Sequence, residues 1–364
     1  MRVLALTRYP RTGASSRQRF LVYFDYLASR GIEVTAEPFF SQEYISRLNA
    51  GRAPSIRDLA WSYAKRVQAL LSKHHYDIVW IEKEALPQCP FWVEALLLRN
   101  AKVLLDLDDA WHLRYSKGWR RIMSNKIARL GRRANAVVVA NQQLERWALG
   151  AGIAAASMCL VPTGLDIAKY QATPDPDLPF TVGWIGSPST VEFLTTIDGA
   201  LRSLSNEGVQ LLVIGADRKP GRLANIAVEQ HDWSEDSEAE LLSRCHVGIG
   251  PLPDEEWCKY KSGYKLIQYM AVGRPSVASP VGANKLVVAE GETGFFAESA
   301  EDWIRQILRL RDDSELRKRM GAQARARCER LFSVEALGRD VADAMMKLQQ
   351  QAKHKLRSST TSAD

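Results

Sequence analysis

Two lysines and a glycine turn in the second half of the chain have the residue types and spacing of a phosphate-binding site. Lys261 and Lys265 lie four residues apart, so they are predicted to share one face near the start of a helix. Gly282 and Ala283 precede a second predicted helix that begins at Asn284, where backbone amides would point outward. Two positive helix starts, one strand apart, predict a pocket for a diphosphate.

A glycine and several hydroxyl groups follow a strand predicted at 180–186. Gly186 allows a ligand to approach the backbone closely, and Ser187 and Thr190 place hydroxyls at the start of the next helix. The loop is weak evidence by itself. Beside the two lysines, it is predicted to contribute to the same pocket.

An acidic loop follows another predicted strand in the first half. Asp106, Asp108 and Asp109 include a D-x-D pattern, whose carboxylates can hold Mg²⁺ or Mn²⁺, orient a substrate hydroxyl or cap a helix. These alternatives stay open on sequence grounds. We expect no metal here, and we predict that Asp108 and Asp109 serve catalysis or a second substrate.

The loop after the first predicted strand is rich in arginine, with four in the twelve residues from Arg8 to Arg19. Arginine suits bidentate contact with phosphate or carboxylate, although a solvated basic loop would have the same composition. No G-x-G-x-x-G is present, so this is not a dinucleotide fingerprint. The residues predicted to contact an acceptor here are Gly13, Ser15, Ser16, Arg17 and Arg19.

Short, β-branched apolar runs alternate with helical patterns along the chain, and this alternation positions the polar loops. It predicts α/β domains with parallel sheets covered on both faces, in which ligands bind at the carboxyl ends of strands. Strands are predicted near 3–7, 33–38, 77–81, 102–107, 136–140, 158–161, 180–186, 210–215, 225–228, 247–250 and 275–278.

The length of 364 residues suits two domains rather than one. We predict a first doubly wound domain over 1–170, a proline-punctuated linker over 171–179 and a second doubly wound domain over 180–333. A helix at 334–351 is expected to pack across the domains, and the tail at 352–364 is expected to be disordered.

Composition excludes several classes of protein. An apolar content of 46% without a run of roughly 20 apolar residues argues against a membrane span. The five cysteines are scattered without a C-x-x-C pair, so neither a zinc site nor a disulfide framework is expected. A reducing cytoplasm is the expected location.

Positive charge is concentrated in the first half. Residues 1–170 carry 25 Lys and Arg against 14 Asp and Glu, whereas the remainder carries 24 against 28. Nucleic-acid binding is disfavoured because no recognised motif accompanies the charge. A basic amphipathic helix predicted at 119–133 would either lie on an anionic membrane surface or pack its apolar stripe on the core.

The segment from Lys265 to Asn284, followed by G-E-T-G-F-F-A at 291–297, resembles the donor-binding core of GT-B glycosyltransferases of the group 1, or GT4-type retaining, family. Residues 161–166 resemble the hinge motif of that family, with Thr163 in place of the usual Asn. The likeness covers about residues 1–350 and is stronger in the second half.

This resemblance implies two Rossmann-like domains facing a cleft, with a nucleotide-sugar donor in the second and an acceptor in the first. Two family glutamates, eight residues apart, correspond here to Tyr260 and Gln268; an amide at Gln268 can still hydrogen-bond a ribose hydroxyl. The family's diphosphate-binding Arg and Lys are absent, and Lys261 and Lys265 are the expected replacements. No cofactor or metal is implied.

The implied function is transfer of a hexose-type unit, with retention, from a UDP- or GDP-sugar to a glycan or lipid-linked acceptor in cell-surface polysaccharide or glycolipid synthesis. The protein would then be cytoplasmic or peripheral on the membrane. Two alternatives share the fold: a nucleotide-sugar epimerase, and a non-catalytic nucleotide-binding relative that acts as a scaffold.

Overall fold

The chain forms two compact units: unit 1 comprises Met1–Gly164 and Val334–Asp364, and unit 2 comprises Leu165–Ser333. This computed structural model describes residues 1–49, 55–177, 179–216, 226 and 228–360. The boundary lies at Gly164, rather than at a linker over 171–179. That segment belongs to unit 2, where Arg274 donates hydrogen bonds to the carbonyls of Thr173 and Pro174.

Unit 1 is built on a parallel sheet of six strands. They are β1 (Arg2–Leu6), β2 (Glu33–Ala36), β3 (Ile78–Glu82), β4 (Val103–Leu107), β5 (Ala136–Val139) and β6 (Met158–Leu160). The spatial order is β2-β1-β3-β4-β5-β6, so the direction of winding reverses between β1 and β3. Strands β3 and β4 are buried along their full length, as expected for parallel strands covered on both faces.

The helices of the first 164 residues connect these strands. They are α1 (Ala14–Arg19), α2 (Phe24–Ser29), α3 (Gln42–Asn49), α4 (Ile56–Leu71), α5 (Phe91–Leu97), α6 (Lys126–Arg133) and α7 (Gln142–Gly150). The prediction of a single basic helix at 119–133 is wrong. A 3₁₀ segment, Gly118–Met123, precedes α6, and Lys126 is buried.

Unit 2 repeats the architecture. Its strands are β7 (Thr181–Ile185), β8 (Gln210–Ile214), β9 (Val228–His231), β10 (Val247–Gly250), β11 (Ser276–Ala278) and β12 (Gly294–Phe296). All are parallel, in the order β12-β11-β10-β7-β8-β9, so the winding reverses between β7 and β10. Strand β12 was not predicted, and the strand predicted at 225–228 lies partly outside the described residues.

The helices of unit 2 cover both faces of this sheet, as the alternating pattern predicts. They are α8 (Asp198–Asn206), α9 (Glu238–Ser243), α10 (Tyr264–Ala271), α11 (Asn284–Val287), α12 (Ala300–Asp312) and α13 (Ser314–Leu331).

The last helix, α14 (Val334–Thr360), returns the chain to unit 1. Its buried residues Leu337, Val341 and Met345 share one hydrophobic cluster with Val3 and Phe20. The helix therefore completes the core of unit 1. It also continues to Thr360, beyond the end expected at 351, and the residues after it lie outside the described part of the chain.

Candidate functional site

The carboxyl end of the sheet in unit 2 gathers the residues predicted to bind a donor. The crevice beside a reversal of winding is where open α/β sheets bind ligands, and here it lies between β7 and β10. Trp184 and Gly186 are at the end of β7, and Lys265 is on α10, which follows β10. The topology thus brings together residues about 80 positions apart in sequence.

Lys265 lies over the aromatic ring at this crevice. Its Nζ atom is 3.8 Å from the centroid of the Trp184 ring, and it would be 2.6 Å from a Cβ atom placed on Gly186. Burial, and then the charge of Lys261, lower the pKa of Lys265 to about 7. Among the described residues, no carboxylate acts on this amine to offset the loss of hydration. An anionic ligand would supply that charge.

Lys261 does not occupy the predicted position. Lys261 has an extended backbone and follows the 3₁₀ turn Cys258–Tyr260. Helix α10 begins only after Gly263, whose φ of 68° is left-handed. The two lysines therefore do not share a helical face, and Lys261 Nζ is 5.8 Å from the centroid of the Trp257 ring. Lys261 is nevertheless close enough to affect the pKa of Lys265.

The loop after β7 is exposed and held by its own hydrogen bonds. Thr190 N donates to the carbonyl of Ser187 at 2.9 Å, and the hydroxyls of Ser187 and Ser189 are 2.9 Å apart. A Cβ atom on Gly215, at the end of β8, would lie 2.5 Å from the carbonyl oxygen of Gly186. Glycine at 215 is thus needed for the two strand ends to approach one another.

The predicted phosphate site at Gly282, Ala283 and Asn284 takes a different form. Helix α11 has only four residues, and the buried side chain of Asn284 donates to the carbonyls of Ser279 at 2.9 Å and Gly250 at 3.4 Å. The amide therefore joins the ends of β10 and β11. The side chain of Asn284 thus makes a structural contact, and phosphate binding by the backbone at this turn stays a prediction.

Gln268 is also engaged by the protein. Its side chain is buried on α10 and hydrogen-bonds the phenol of Tyr170, whose hydroxyl also donates to Glu238. Trp233 donates its indole N–H to the other oxygen of Glu238. These contacts occupy the amide that was expected to bind a ribose hydroxyl.

In unit 1, the reversal of winding between β1 and β3 lies beside a buried glutamate. Glu82 accepts hydrogen bonds from the hydroxyls of Ser15 at 2.7 Å and Ser16 at 2.5 Å, and from Arg8 N at 2.7 Å. Ser15 and Ser16 therefore fix the β1 loop to the end of β3. Neither caps α1, which has Gly13 as its N-cap without a side-chain hydrogen bond.

Arg19 was predicted to bind the acceptor, but it is 2% exposed. It forms an ion pair with Asp106 at 2.9 Å and donates to the carbonyls of Val161 and Pro162. Burial raises the pKa of Asp106 to about 6, and the guanidinium opposes this rise. Arg19 is thus a structural residue that connects α1, β4 and the segment after β6.

Gly13 and Arg17, the remaining predicted acceptor residues, differ in environment. A Cβ atom on Gly13 would lie 2.1 Å from that of Tyr9, so glycine permits a tight loop. Arg17 is partly buried and donates to the carbonyl of Arg11 at 3.1 Å. Neither placement tests a contact with substrate.

The acidic loop is divided between two roles. Asp108 Oδ1 is 3.1 Å from the Nζ of Lys83, which is buried. The backbone of Lys83 has a φ of 65°, which is uncommon for a residue other than glycine. Asp109 Oδ1 accepts from the backbone N–H of Ala110 at 3.0 Å. Strained backbone is often found at functional sites, and sequence reasoning had no signal for Lys83.

Glu84 is the centre of a further network that the sequence did not indicate. Its carboxylate accepts from Trp111 Nε1 at 2.8 Å, Tyr115 OH at 2.5 Å and Lys126 Nζ at 2.6 Å. Lys126 also pairs with Glu94 at 2.6 Å. This network fixes the 3₁₀ segment that follows β4 against the end of β3.

The described residues contain neither a cluster of metal ligands nor a membrane-spanning helix. No three His, Cys, Asp or Glu side chains in that part of the chain are grouped so that they could hold a metal ion. No described helix is long and apolar enough to cross a membrane.

Part of the second half of the chain is similar to known glycosyltransferases. Residues 180–313 match the sequence model described as "Glycosyl transferases group 1". A stretch of 72 residues is 32% identical to the trehalose synthase of Pyrococcus horikoshii and covers 20% of this chain but only 17% of that protein.

Solved structures show the fold over nearly the whole chain. HepE of Anabaena, solved with UDP, is 16% identical and has a TM-score of 0.69 over 95% of this chain and 100% of its own. WaaG, described as a glycosyltransferase involved in lipopolysaccharide biosynthesis, is 16% identical with a TM-score of 0.64 over 95% and 99%. The chain has the GT-B fold, and its residues 180–313 are similar to the group 1 glycosyl transferases.

Proposed function

We propose that this protein is a glycosyltransferase that moves a hexose-type sugar from a nucleoside-diphosphate sugar, either UDP- or GDP-linked, to a glycan or lipid-linked acceptor. The observation that carries the proposal is the Lys265 amine, which lies at the crevice of the group 1 domain without a carboxylate among the described residues acting on it. HepE has been solved with UDP-glucose, which supports a UDP-sugar as the first donor to test.

Glycosyl transfer requires stabilisation of the departing nucleoside diphosphate. A cation fixed in a partly desolvated crevice stabilises that charge more strongly than one in water. Lys265 is held by the Trp184 ring, so its amine is oriented before the ligand arrives. No enzyme nucleophile or metal is needed in this scheme. The sugar is transferred with retention, in the synthesis of a surface polysaccharide or glycolipid.

Lys265→Met tests the assignment. We expect UDP to raise the melting temperature of the native chain, and we expect the variant to lose most of this shift and about 100-fold in kcat/KM. Lys318→Met is the matched control, because Lys318 is an exposed lysine of unit 2 on α13. A kcat/KM for Lys265→Met within twofold of the native value would show that Lys265 does not take part in the mechanism.

The epimerase and scaffold alternatives are separated by products. Donor incubated alone yields an isomerised nucleotide sugar only from an epimerase, whereas a scaffold binds UDP and converts nothing with any acceptor. The anomeric configuration of the transferred sugar, measured by NMR, tests retention.

Membrane attachment is a separate part of the proposal. Ile122 is 91% exposed and Trp119 is 63% exposed, on a 3₁₀ segment that also carries the exposed Arg121. Apolar and aromatic side chains beside a cation suit the surface of an anionic bilayer. Flotation with anionic vesicles should recover the protein and neutral vesicles should not; equal recovery from both would contradict this attachment.

A further inference from the structure

Two arginines from separate parts of unit 1 meet at one indole ring. Arg8 follows β1, and Arg114 lies in the 3₁₀ segment Trp111–Tyr115 after β4. Both guanidinium carbons are 4.4 Å from the centroid of the Trp111 ring. The ring is 6% exposed and is fixed by its hydrogen bond to Glu84. The two cations are therefore positioned by a rigid aromatic surface.

The carboxylates around this pair are shared with other hydrogen-bond donors. Glu84 accepts from Trp111, Tyr115 and Lys126, and it also forms an ion pair with Arg8 at 3.7 Å. Glu82 binds the two serines of the β1 loop, and Asp108 pairs with Lys83. Asp109 attracts Arg114 but directs one oxygen to a backbone N–H.

Like charges on neighbouring groups destabilise one another. Burial, and then the charge of Arg8, lower the pKa of Arg114, and Arg120 acts in the same direction. The Nε of Arg120 is itself buried without a hydrogen-bond partner among the described residues. An anion that contacts these arginines would stabilise them, and guanidinium groups bind carboxylate and phosphate in bidentate fashion.

We propose that Arg8 and Arg114, held at the ring of Trp111, form a subsite for an anionic group of the acceptor, either the carboxylate of an acidic sugar or a phosphate. The acceptor role rests on the proposed function, whereas the binding of an anion does not. The site lies at the carboxyl ends of β1 and β4, on the edge of the sheet where α/β folds bind ligands.

Binding experiments without a sugar donor test the binding of an anion separately from its role as part of an acceptor. The full chain is saturated with UDP and titrated by calorimetry with glucuronate, glucose 1-phosphate or glucose. We expect at least one anionic sugar to bind at least tenfold more tightly than glucose, with a loss of affinity at high salt. The anionic sugar that binds more tightly shows whether the site recognises a carboxylate or a phosphate.

Arg114→Gln should lower the affinity for the preferred anion about tenfold, because this exposed side chain can be replaced without opening the core. Arg8→Gln should act in the same direction, with the melting temperature as its folding control. Arg99→Gln, an exposed arginine at the end of α5, should change nothing. Equal affinity for the three sugars, or full binding by both Arg114→Gln and Arg8→Gln, would overturn the subsite. Transfer only to neutral acceptors would overturn its acceptor role and leave the glycosyltransferase proposal intact.

Discussion

The amine of Lys265 and the indole of Trp184 are 3.8 Å apart, measured from Nζ to the ring centroid, at the crevice between β7 and β10. An aromatic ring attracts a cation through its quadrupole, but it cannot neutralise the charge as a carboxylate would. Burial, and then the charge of Lys261, lower the pKa of this lysine to about 7, so its protonation depends on what else binds there.

Binding of UDP should therefore take up a proton above pH 7. An unfolded lysine holds its proton to about pH 10.4. Between about pH 7 and 10 the folded chain therefore binds fewer protons than the unfolded chain. Its free energy of unfolding consequently rises with pH in that range. A diphosphate restores the proton, and its affinity should fall by up to about tenfold per pH unit from pH 7 to 9. Calorimetry in buffers of different ionisation enthalpy measures the uptake, which should vanish in Lys265→Met.

Gly186→Ala should weaken UDP binding more than it weakens folding. The added Cβ would lie 2.6 Å from both Lys265 Nζ and the Trp184 ring, so the amine must move. We expect at least tenfold loss of affinity by calorimetry. Gly199→Ala is the control, because a Cβ there meets nothing within 4 Å. Unchanged affinity in Gly186→Ala would mean that UDP does not depend on this position of the amine.

Arg19→Met should destabilise the chain by about 3–5 kcal/mol, because it leaves the buried carboxylate of Asp106 without its partner. Urea unfolding measures the change. The double variant Arg19→Met with Asp106→Leu should recover part of the loss, since no unpaired charge remains. An intact free energy of unfolding in Arg19→Met, together with a raised KM for acceptor, would instead restore the acceptor role.

Gln268→Ala should reduce stability without changing recognition of ribose. The buried amide bonds the phenol of Tyr170, and loss of such a bond costs about 1–3 kcal/mol. The ratio of affinities for UDP and 2′-deoxy-UDP should stay the same as in the native chain. A ratio that collapses to one would show that Gln268 does contact the ribose.

The sequence predicts the sheets well because short, continuous apolar runs separated by helices leave few other arrangements. The same pattern predicts that Lys265 lies near the start of the helix after β10, as it does on α10. Lys261 is misplaced because the left-handed Gly263 starts the helix three residues later than the spacing implies. Local pattern carries no signal for such a turn.

The buried hydrogen-bonded pairs of unit 1 are harder to predict from the sequence than its sheet. Ser16 and Glu82 are 66 residues apart, and Lys126 and Glu84 are 42 apart. Each partner alone is typical of an exposed loop, so the pairing becomes visible only when the strand ends are assembled. For this reason the sequence favours a ligand contact for Arg19 and Ser16, and it carries no signal for Lys83 and Glu84.

The return of α14 to unit 1 has a consequence for synthesis on the ribosome. Unit 2 is one continuous stretch, so it can fold as soon as Ser333 has left the exit tunnel. Unit 1 must wait for residues such as Leu337 and Met345, which fill its core. The half of the protein that is translated first is therefore the half that finishes folding last.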